Sequence, residues 1–168
     1  MELNEKIYLE KYNPEWQIFF ENEQSLIKKA INDYSGNFHI EHIGSTSILG
    51  IIAKPIVDIL IGVTTFPPDK LFIENIINSG YEYMKSGSVP ERLYFTKRAT
   101  VSYNIQIVKY NDDIWKKDIL FRDYLRSHPD KAKKYSELKK SIYDSGAITL
   151  LEYSAQKASF ISNILDTL

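Results

Sequence analysis

The sequence predicts an α+β fold: a mixed, mainly antiparallel sheet with flanking helices and a helical C-terminal part. One strand-like run is almost wholly apolar, two alternating runs adjoin as a hairpin, and only helical patterns follow residue 110. A chain of 168 residues has the usual length of one domain. We therefore expect a single domain over 1–168, with the sheet core in 1–110 and the C-terminal helices in 111–168.

The first part of the chain contains the patterns of one helix and two strands. Asn13-Pro14 indicates a helix start, because asparagine caps a helix and proline suits its first position, and helical spacing continues to about residue 32. Residues 38–43 predict a short strand. Residues 55–63 predict a strand buried on both faces, since Asp58 is its one polar side chain.

The rest of the chain predicts two or three strands and four helices. The helices are expected over 69–79, 112–127, 129–144 and 149–166, a strand begins within 81–84, and the runs 92–97 and 101–108 form the hairpin. In the run 101–108 side chains alternate between two faces, and Ser102, Asn104 and Gln106 share one of them. That face is polar in an otherwise apolar strand.

Composition limits the class of protein. The chain has no cysteine, which excludes disulfides, thiolate zinc sites and cysteine nucleophiles and suits a cytoplasmic protein. We find neither a signal peptide pattern nor a run long and apolar enough to cross a membrane. The 21 basic and 22 acidic residues balance. The lysines of "KAKKYSELKK" are expected to form a solvated helix face, so nucleic acid is not an expected partner.

One stretch, "GSTS" at Gly44–Ser47, joins the first two predicted strands. Such a turn offers backbone N–H groups and three hydroxyls to a phosphate, and Asp58, 13 residues after Ser45, could hold a divalent cation on that phosphate. It is not a Walker loop, because no Gly-Lys-Ser/Thr occurs. From spacing alone, an ordinary turn and a structural carboxylate explain these residues equally well.

Six segments together resemble the GrpB family. They are "YNPEWQIFF", "IEHIGSTS", "AKPIVDI", "FRDYLRSHP", "KYSELK" and "YSAQKASFI", in this order over nearly the whole chain. The family is a branch of the nucleotidyltransferase superfamily with the polymerase-β-like fold. The resemblance implies transfer of a nucleotidyl group from an NTP to an unknown acceptor with Mg²⁺ or Mn²⁺. Gly44 and Ser45 match the phosphate-binding turn, and Asp58 matches the first metal-binding carboxylate.

The proposed site departs from the superfamily pattern at two places. The position of the second carboxylate is Leu60, which lies on the same strand face as Asp58. A His-Leu-His run common in the family is matched by Asn104-Ile105-Gln106, whose amides are poor substitutes for anionic ligands. A catalytically degenerate nucleotide- or phosphate-binding domain of the same fold is therefore the alternative. A second metal would need other donors, and Glu41 and Asp123 are the candidates.

The candidate site residues divide into three groups. The catalytic candidates are Asp58, also the metal ligand, and Ser45; the phosphate- or nucleotide-binding candidates are Gly44, Ser45, Thr46, Ser47, Lys54, Arg92, Arg122 and Arg126; the supporting residues are His42, Asn104, Gln106 and Asp123. The two α-helical arginines suit phosphate recognition or an internal Arg-Asp network equally well. The expected partner is an NTP or another phosphorylated small molecule. A structural domain that docks a protein through its C-terminal helices is a third hypothesis.

Overall fold

The computed structural model describes residues 8–146 and 150–167. Within them the helices are α1 (Glu15–Ala30), α2 (Lys70–Asn78), α3 (Asp113–Ser127), α4 (Pro129–Asp144) and α5 (Leu150–Leu165). The strands are β1 (Phe38–Ile43), β2 (Ile56–Val63), β3 (Glu82–Tyr83), β4 (Arg92–Arg98) and β5 (Ser102–Lys109). The predicted helices and strands are thus confirmed to within a few residues; the start predicted for the last helix, Thr149, lies outside the described residues.

Local side-chain caps explain where several helices begin. The Asn13 side chain accepts a hydrogen bond from the Glu15 amide at 2.9 Å, and Asp69 accepts one from the Phe72 amide at 2.8 Å. These bonds satisfy amides that have no partner inside the helix. Helix α4 has Pro129 at its first position, which needs no amide hydrogen.

The five strands form one sheet in the order β1-β2-β5-β4-β3. Strands β2 and β5 are parallel, and the other three pairs are antiparallel, as the predicted mixed, mainly antiparallel sheet requires. The parallel register places Asp58 beside Asn104 and Leu60 beside Gln106. The polar positions of two strands distant in sequence therefore lie next to each other.

The two faces of the sheet carry different side chains. On one face, alternate residues of β2 and β5 pack with α1 and α2 in the largest apolar cluster, which includes Trp16, Phe20, Ile59 and Ile105. On the other face lie Asp58, Leu60, Asn104 and Gln106, and there the sheet contacts α3. Polar strand positions are thus kept out of the main core and point toward the C-terminal helices.

The prediction that the lysines of α4 form a solvated face is wrong for Lys139, which is 1% exposed. Lys139 lies four residues after Tyr135 and three before Ile142, so it belongs to the buried stripe of the helix. Its ammonium donates to the Ile52 carbonyl oxygen and lies 4.8 Å from the centre of the Tyr135 ring. Burial lowers the pKa of Lys139 to about 7, and the nearby Lys157 charge contributes.

Among the described residues, no helix is both long and apolar enough to span a lipid bilayer.

Candidate functional site

A cavity of about 490 Å³ opens between the polar sheet face and the C-terminal helices. The turn after β1, strands β2, β4 and β5, and helices α3, α4 and α5 all contribute to it. Its polar lining includes Ser45, Thr46, Lys54, Asp58, Arg92, Tyr94, Asn104, Gln106, Asp118, Arg122, Tyr135, Tyr153, Ser154 and Lys157. Many sequence-predicted site residues therefore share one cavity, although the most distant of them, Gly44 and Arg122, are 78 residues apart in sequence.

Gly44 brings the turn into direct contact with Asp58. Its backbone has φ of 70° and ψ of −174°, a combination that only glycine adopts without strain. A β-carbon at this position would lie 2.5 Å from Oδ2 of Asp58 and 3.0 Å from its Cβ. The glycine is therefore needed for two reasons, the backbone conformation and the close approach of the carboxylate.

Asp58 is held at the cavity by its neighbour on β5. Asn104 donates to Oδ1 of Asp58 at 2.7 Å and accepts from Arg98 at 3.0 Å, which fixes the orientation of the amide. Burial raises the pKa of Asp58, and this effect exceeds the lowering by the Asn104 hydrogen bond and by the charges of Lys54, Lys157 and Arg98. A cation in the cavity would stabilise the ionised carboxylate further.

The position of the expected second carboxylate is closed to the cavity. Leu60 is completely buried, in a cluster with Ile43, Val108 and Trp115. Trp115 belongs to α3, so this helix covers the part of the sheet where a metal-facing residue would be expected. The apolar residue at position 60, where the superfamily pattern has a carboxylate, is thus explained by its packing against α3.

Two of the predicted site residues have structural partners. The ring nitrogens of His42 lie 3.3 Å from Gln17 Oε1 and 3.0 Å from Thr46 Oγ1, and the ring stacks on Phe20. Burial, with the charges of Arg126 and Arg122, lowers the pKa of His42 to about 3, so the imidazole is neutral. His42 and Thr46 therefore fix the turn from behind, although Thr46 also lines the cavity.

The hydroxyls of the turn point in different directions. Ser45 lines the cavity, as does Tyr135 of α4. Ser47 donates back to the Gly44 carbonyl at 2.7 Å and lines a second, separate cavity together with Arg126. Arg126 donates to the Ser47 carbonyl at 3.0 Å. Ser47 and Arg126 are thus brought together, but outside the cavity that contains Asp58.

Arg122 forms the internal network that was one of its two expected roles. It donates to Glu41 at 2.6 Å, to Asp123 at 2.8 Å and to the His42 carbonyl at 3.2 Å. The arginine is 8% exposed, so these bonds lock α3 to β1. Glu41 and Asp123 are bound to Arg122 and do not line the cavity, which makes them unsuited as metal donors beside Asp58.

Besides Arg122, three positively charged side chains from separate elements line the cavity. Lys54 precedes β2, Arg92 begins β4 and donates to Gln106 at 3.2 Å, and Lys157 extends from α5. Burial and the Lys54 charge lower the pKa of Lys157 to about 8, and Asp58 partly opposes this. The sequence interpretation missed Lys157, although it lies four residues after the buried Tyr153 on the inner stripe of its helix.

A second carboxylate, also missed in the sequence, enters the cavity from α3. Asp118 lies three residues after Trp115 and four before Arg122, so it belongs to the inner face of this helix. Its Oδ2 atom is buried and has no hydrogen-bond partner among the described residues. Burial raises the pKa of Asp118 to about 6; the Arg92 charge opposes this, and the Asp58 charge adds to it. The sequence did contain a signal for Asp118, namely a carboxylate at a helical position that shares a face with apolar residues.

The carboxylates do not form a metal centre of protein ligands alone. Over 8–146 and 150–167, no three His, Cys, Asp or Glu side chains lie close enough together to hold a metal ion. Asp58 and Asp118 nevertheless share the cavity with the Ser45 hydroxyl. Oxygen donors of this kind suit Mg²⁺ or Mn²⁺ when phosphate oxygens complete the coordination.

The family is decided by sequence comparison. The profile described as "GrpB protein" matches residues 6–167. The chain belongs to the GrpB family. Glutamate-rich protein GrpB of Alkalihalophilus pseudofirmus is 30% identical over 167 residues, covering 96% of this chain and 95% of that protein. The conserved protein GrpB from Enterococcus faecalis, known as a crystal structure, is 30% identical and superposes with a TM-score of 0.82 over 94% of both chains.

A more distant structural likeness places this GrpB chain among nucleotidyltransferase folds. The Cid1 poly(U) polymerase with Mg 3'-dATP bound superposes with a TM-score of 0.50 at 16% identity, covering 90% of this chain and 49% of Cid1. The chain thus spans about half the length of that enzyme. The predicted family and the nucleotidyltransferase-like α+β fold are both confirmed.

Proposed function

We propose that this GrpB chain is a metal-dependent nucleotidyltransferase, which binds an NTP with Mg²⁺ or Mn²⁺ and transfers its nucleotidyl group to an acceptor. The observation that carries the proposal is the contact of Asp58 with the Gly44 turn at a cavity lined by Lys54, Arg92 and Lys157. A carboxylate for a cation and three basic side chains for phosphates are the groups that phosphoryl transfer requires.

The side chains then have distinct tasks. Asp58 and Ser45 provide oxygen ligands for the cation, which when bound would neutralise charge on the phosphates. Lys54, which precedes β2, and Lys157, from α5, contact phosphate oxygens, and an anion between them would restore the proton affinity of Lys157. Arg92 contributes charge from β4. The basic side chains outnumber the carboxylates, which suits the residual negative charge of a metal-bound triphosphate.

The reaction follows the general course of nucleotidyl transfer. The acceptor attacks the α-phosphorus, the bond to the oxygen bridging to the β-phosphate breaks, and pyrophosphate leaves with the bonding electrons. The proton of the acceptor passes to water or to a carboxylate. Orientation of the phosphates by the turn and the two lysines is the main contribution of the protein.

A second candidate function is nucleotide or phosphate binding without catalysis. It is favoured by Leu60, which is buried where the superfamily has a metal-binding carboxylate, and by Asn104 and Gln106, which are hydrogen-bonded to protein partners. Pyrophosphate release from NTPs incubated with Mg²⁺ and a mixture of small-molecule acceptors separates the two functions. Nucleotide-dependent stabilisation without pyrophosphate release would favour the binding domain.

The first test is ligand-dependent melting. We expect one NTP to raise the melting temperature of the wild type with Mg²⁺ or Mn²⁺, but not with chelator and not in the variant Asp58→Asn. A ligand at 100 times its dissociation constant stabilises by about 2.7 kcal/mol, a shift of several degrees for a chain of this length. If no NTP shifts the wild type under any metal condition, the proposed function is wrong.

A further inference from the structure

One carboxylate of the cavity lining, Asp118, has an oxygen that no described residue pairs with. Oδ2 of Asp118 is buried, and no described residue donates a hydrogen bond to it, whereas Oδ1 of Asp58 receives one from Asn104. Leaving a buried polar atom unpaired is unfavourable, and more so when it is charged. A carboxylate that lines a cavity and keeps one oxygen unpaired is therefore a candidate ligand-binding group.

The position of Asp118 follows from the burial of Leu60. Helix α3 covers Leu60 through Trp115, which packs directly against that part of the sheet. Asp118 is one helical turn after Trp115 on the same inner face and lines the cavity with Asp58. Helix α3, which covers Leu60, thus also brings the Asp118 carboxylate to the cavity beside the buried Leu60 cluster.

We propose that Asp118 is the second carboxylate ligand of a divalent cation that Asp58 also binds, in place of the strand residue at position 60. The inference rests on the proposed function for the presence of a metal, but not for the nucleotide or the transfer. Asp58 from β2 and Asp118 from α3 line the same cavity, so a cation bound there would offset the charge of both carboxylates. Carboxylate oxygens from two elements match the preference of Mg²⁺ and Mn²⁺.

The neighbouring arginine predicts how the cation binds. Arg92 acts electrostatically on Asp118, and its Nε is buried and without a hydrogen-bond partner in the same cavity. Positive charge from Arg92 and Lys157 weakens the binding of a bare cation and favours a cation that arrives with phosphates. We therefore expect Mn²⁺ to bind more tightly in the presence of inorganic tripolyphosphate than alone.

Paramagnetic resonance of free Mn²⁺ tests the inference directly. The full chain is titrated with Mn²⁺ alone in this way. Because tripolyphosphate itself binds Mn²⁺, binding of the preformed Mn²⁺-tripolyphosphate complex is measured by calorimetry, again without nucleotide. Asp118→Asn and Asp58→Asn are each expected to raise the dissociation constant about tenfold or more, because even indirect partners of a metal contribute that much. Asp113→Asn, an exposed carboxylate at the start of the same helix, is the matched control and should bind as the wild type does.

Two results would overturn the inference: Mn²⁺ binding by Asp118→Asn that equals the wild type, or no Mn²⁺ binding by the wild type in either condition. Thermal melts followed by circular dichroism check that each variant is folded. If Asp118→Asn does not fold, Asp118→Ser, which also removes the carboxylate, takes its place.

The outcome is separable from that of the proposed function. Mn²⁺ binding that depends on Asp118 in a protein that no NTP stabilises would support the shared cation site and refute nucleotidyl transfer. Metal-dependent stabilisation by an NTP that is equal in wild type and Asp118→Asn would support the transferase and refute the role of Asp118.

Discussion

Replacing Gly44 with alanine should destabilise the fold more than a glycine substitution in a turn usually does. The residue has φ of 70° and ψ of −174°, and an alanine held there costs about 1–3 kcal/mol. The new methyl group would lie 2.5 Å from Oδ2 of Asp58, so the carboxylate must rotate or the turn must shift, at a further cost of about 1–2 kcal/mol. The expected total is about 3 kcal/mol, or about 6–12 °C in melting temperature.

Gly50→Ala is the matched control for this prediction. Gly50 also has a positive φ, of 79°, but nothing lies within 4 Å of a β-carbon built on it. Its substitution should cost only the backbone strain, about 1–2 kcal/mol. Urea unfolding followed by circular dichroism measures both variants, and each is repeated with Asp58→Ala, which removes the carboxylate that the methyl group meets.

The double substitution decides whether the close approach matters. Asp58→Ala should recover about 1 kcal/mol or more of the Gly44→Ala loss and none of the Gly50→Ala loss, since only the first pair is in contact. Equal losses for the two glycine variants, in both backgrounds, would refute the reasoning that the turn is built around the Asp58 carboxylate.

Three further predictions follow from buried groups. Leu60→Asp should lower the free energy of unfolding by more than about 3 kcal/mol, because it places a carboxylate in an apolar cluster. Leu60→Met should lower it by less than about 1.5 kcal/mol, and urea unfolding measures both variants. Between pH 7 and about pH 9.5 the wild type should become more stable, because the folded Lys139 and Lys157 have pKa values of about 7 and about 8, whereas an unfolded lysine keeps its proton until about 10.5. Lys139→Met should reduce this rise to the part that Lys157 contributes, and an unchanged slope would contradict the prediction. Arg122→Met should lower the free energy of unfolding by about 2 kcal/mol. Arg126→Met should lower it by less than about 0.5 kcal/mol, because Arg126 is an exposed residue with a hydrogen bond to one backbone carbonyl; equal melting temperatures would show that the Arg122 network does not stabilise the fold.

The elements of the fold were predictable because their signals are local. Alternation in 92–97 and 101–108, Pro129 at a helix start and the apolar run around Asp58 each lie within a few residues, and each agrees with the structure. The contact of Gly44 with Asp58 could be anticipated in outline, since a turn and the next strand are close in sequence. The distance between Gly44 and Asp58 could not be anticipated, because it depends on the backbone angles of the turn.

The rest of the cavity was not predictable, because it depends on how helices rotate against the sheet. Asp118 and Lys157 lie on amphipathic helices, where a charged residue at the edge of the buried stripe looks like one at the edge of the solvent face. The same ambiguity made Lys139 look solvated, although its ammonium reaches the Ile52 carbonyl. Arg122 was recognised as important, but only the three-dimensional contacts distinguish its internal network from a phosphate site.

The burial of Leu60 under α3 also restricts how related sequences can change. A carboxylate at position 60 must appear together with compensating changes around Trp115, so the intermediate sequences would be removed by selection for folding. Gln106, the parallel neighbour of Leu60, instead lines the cavity and accepts a hydrogen bond from Arg92. Glutamine becomes glutamate by a single nucleotide change, and Arg92 would stabilise the new charge. A lineage under selection for a stronger cation site would therefore be expected to acquire an acidic residue at position 106 and to keep an apolar residue at position 60.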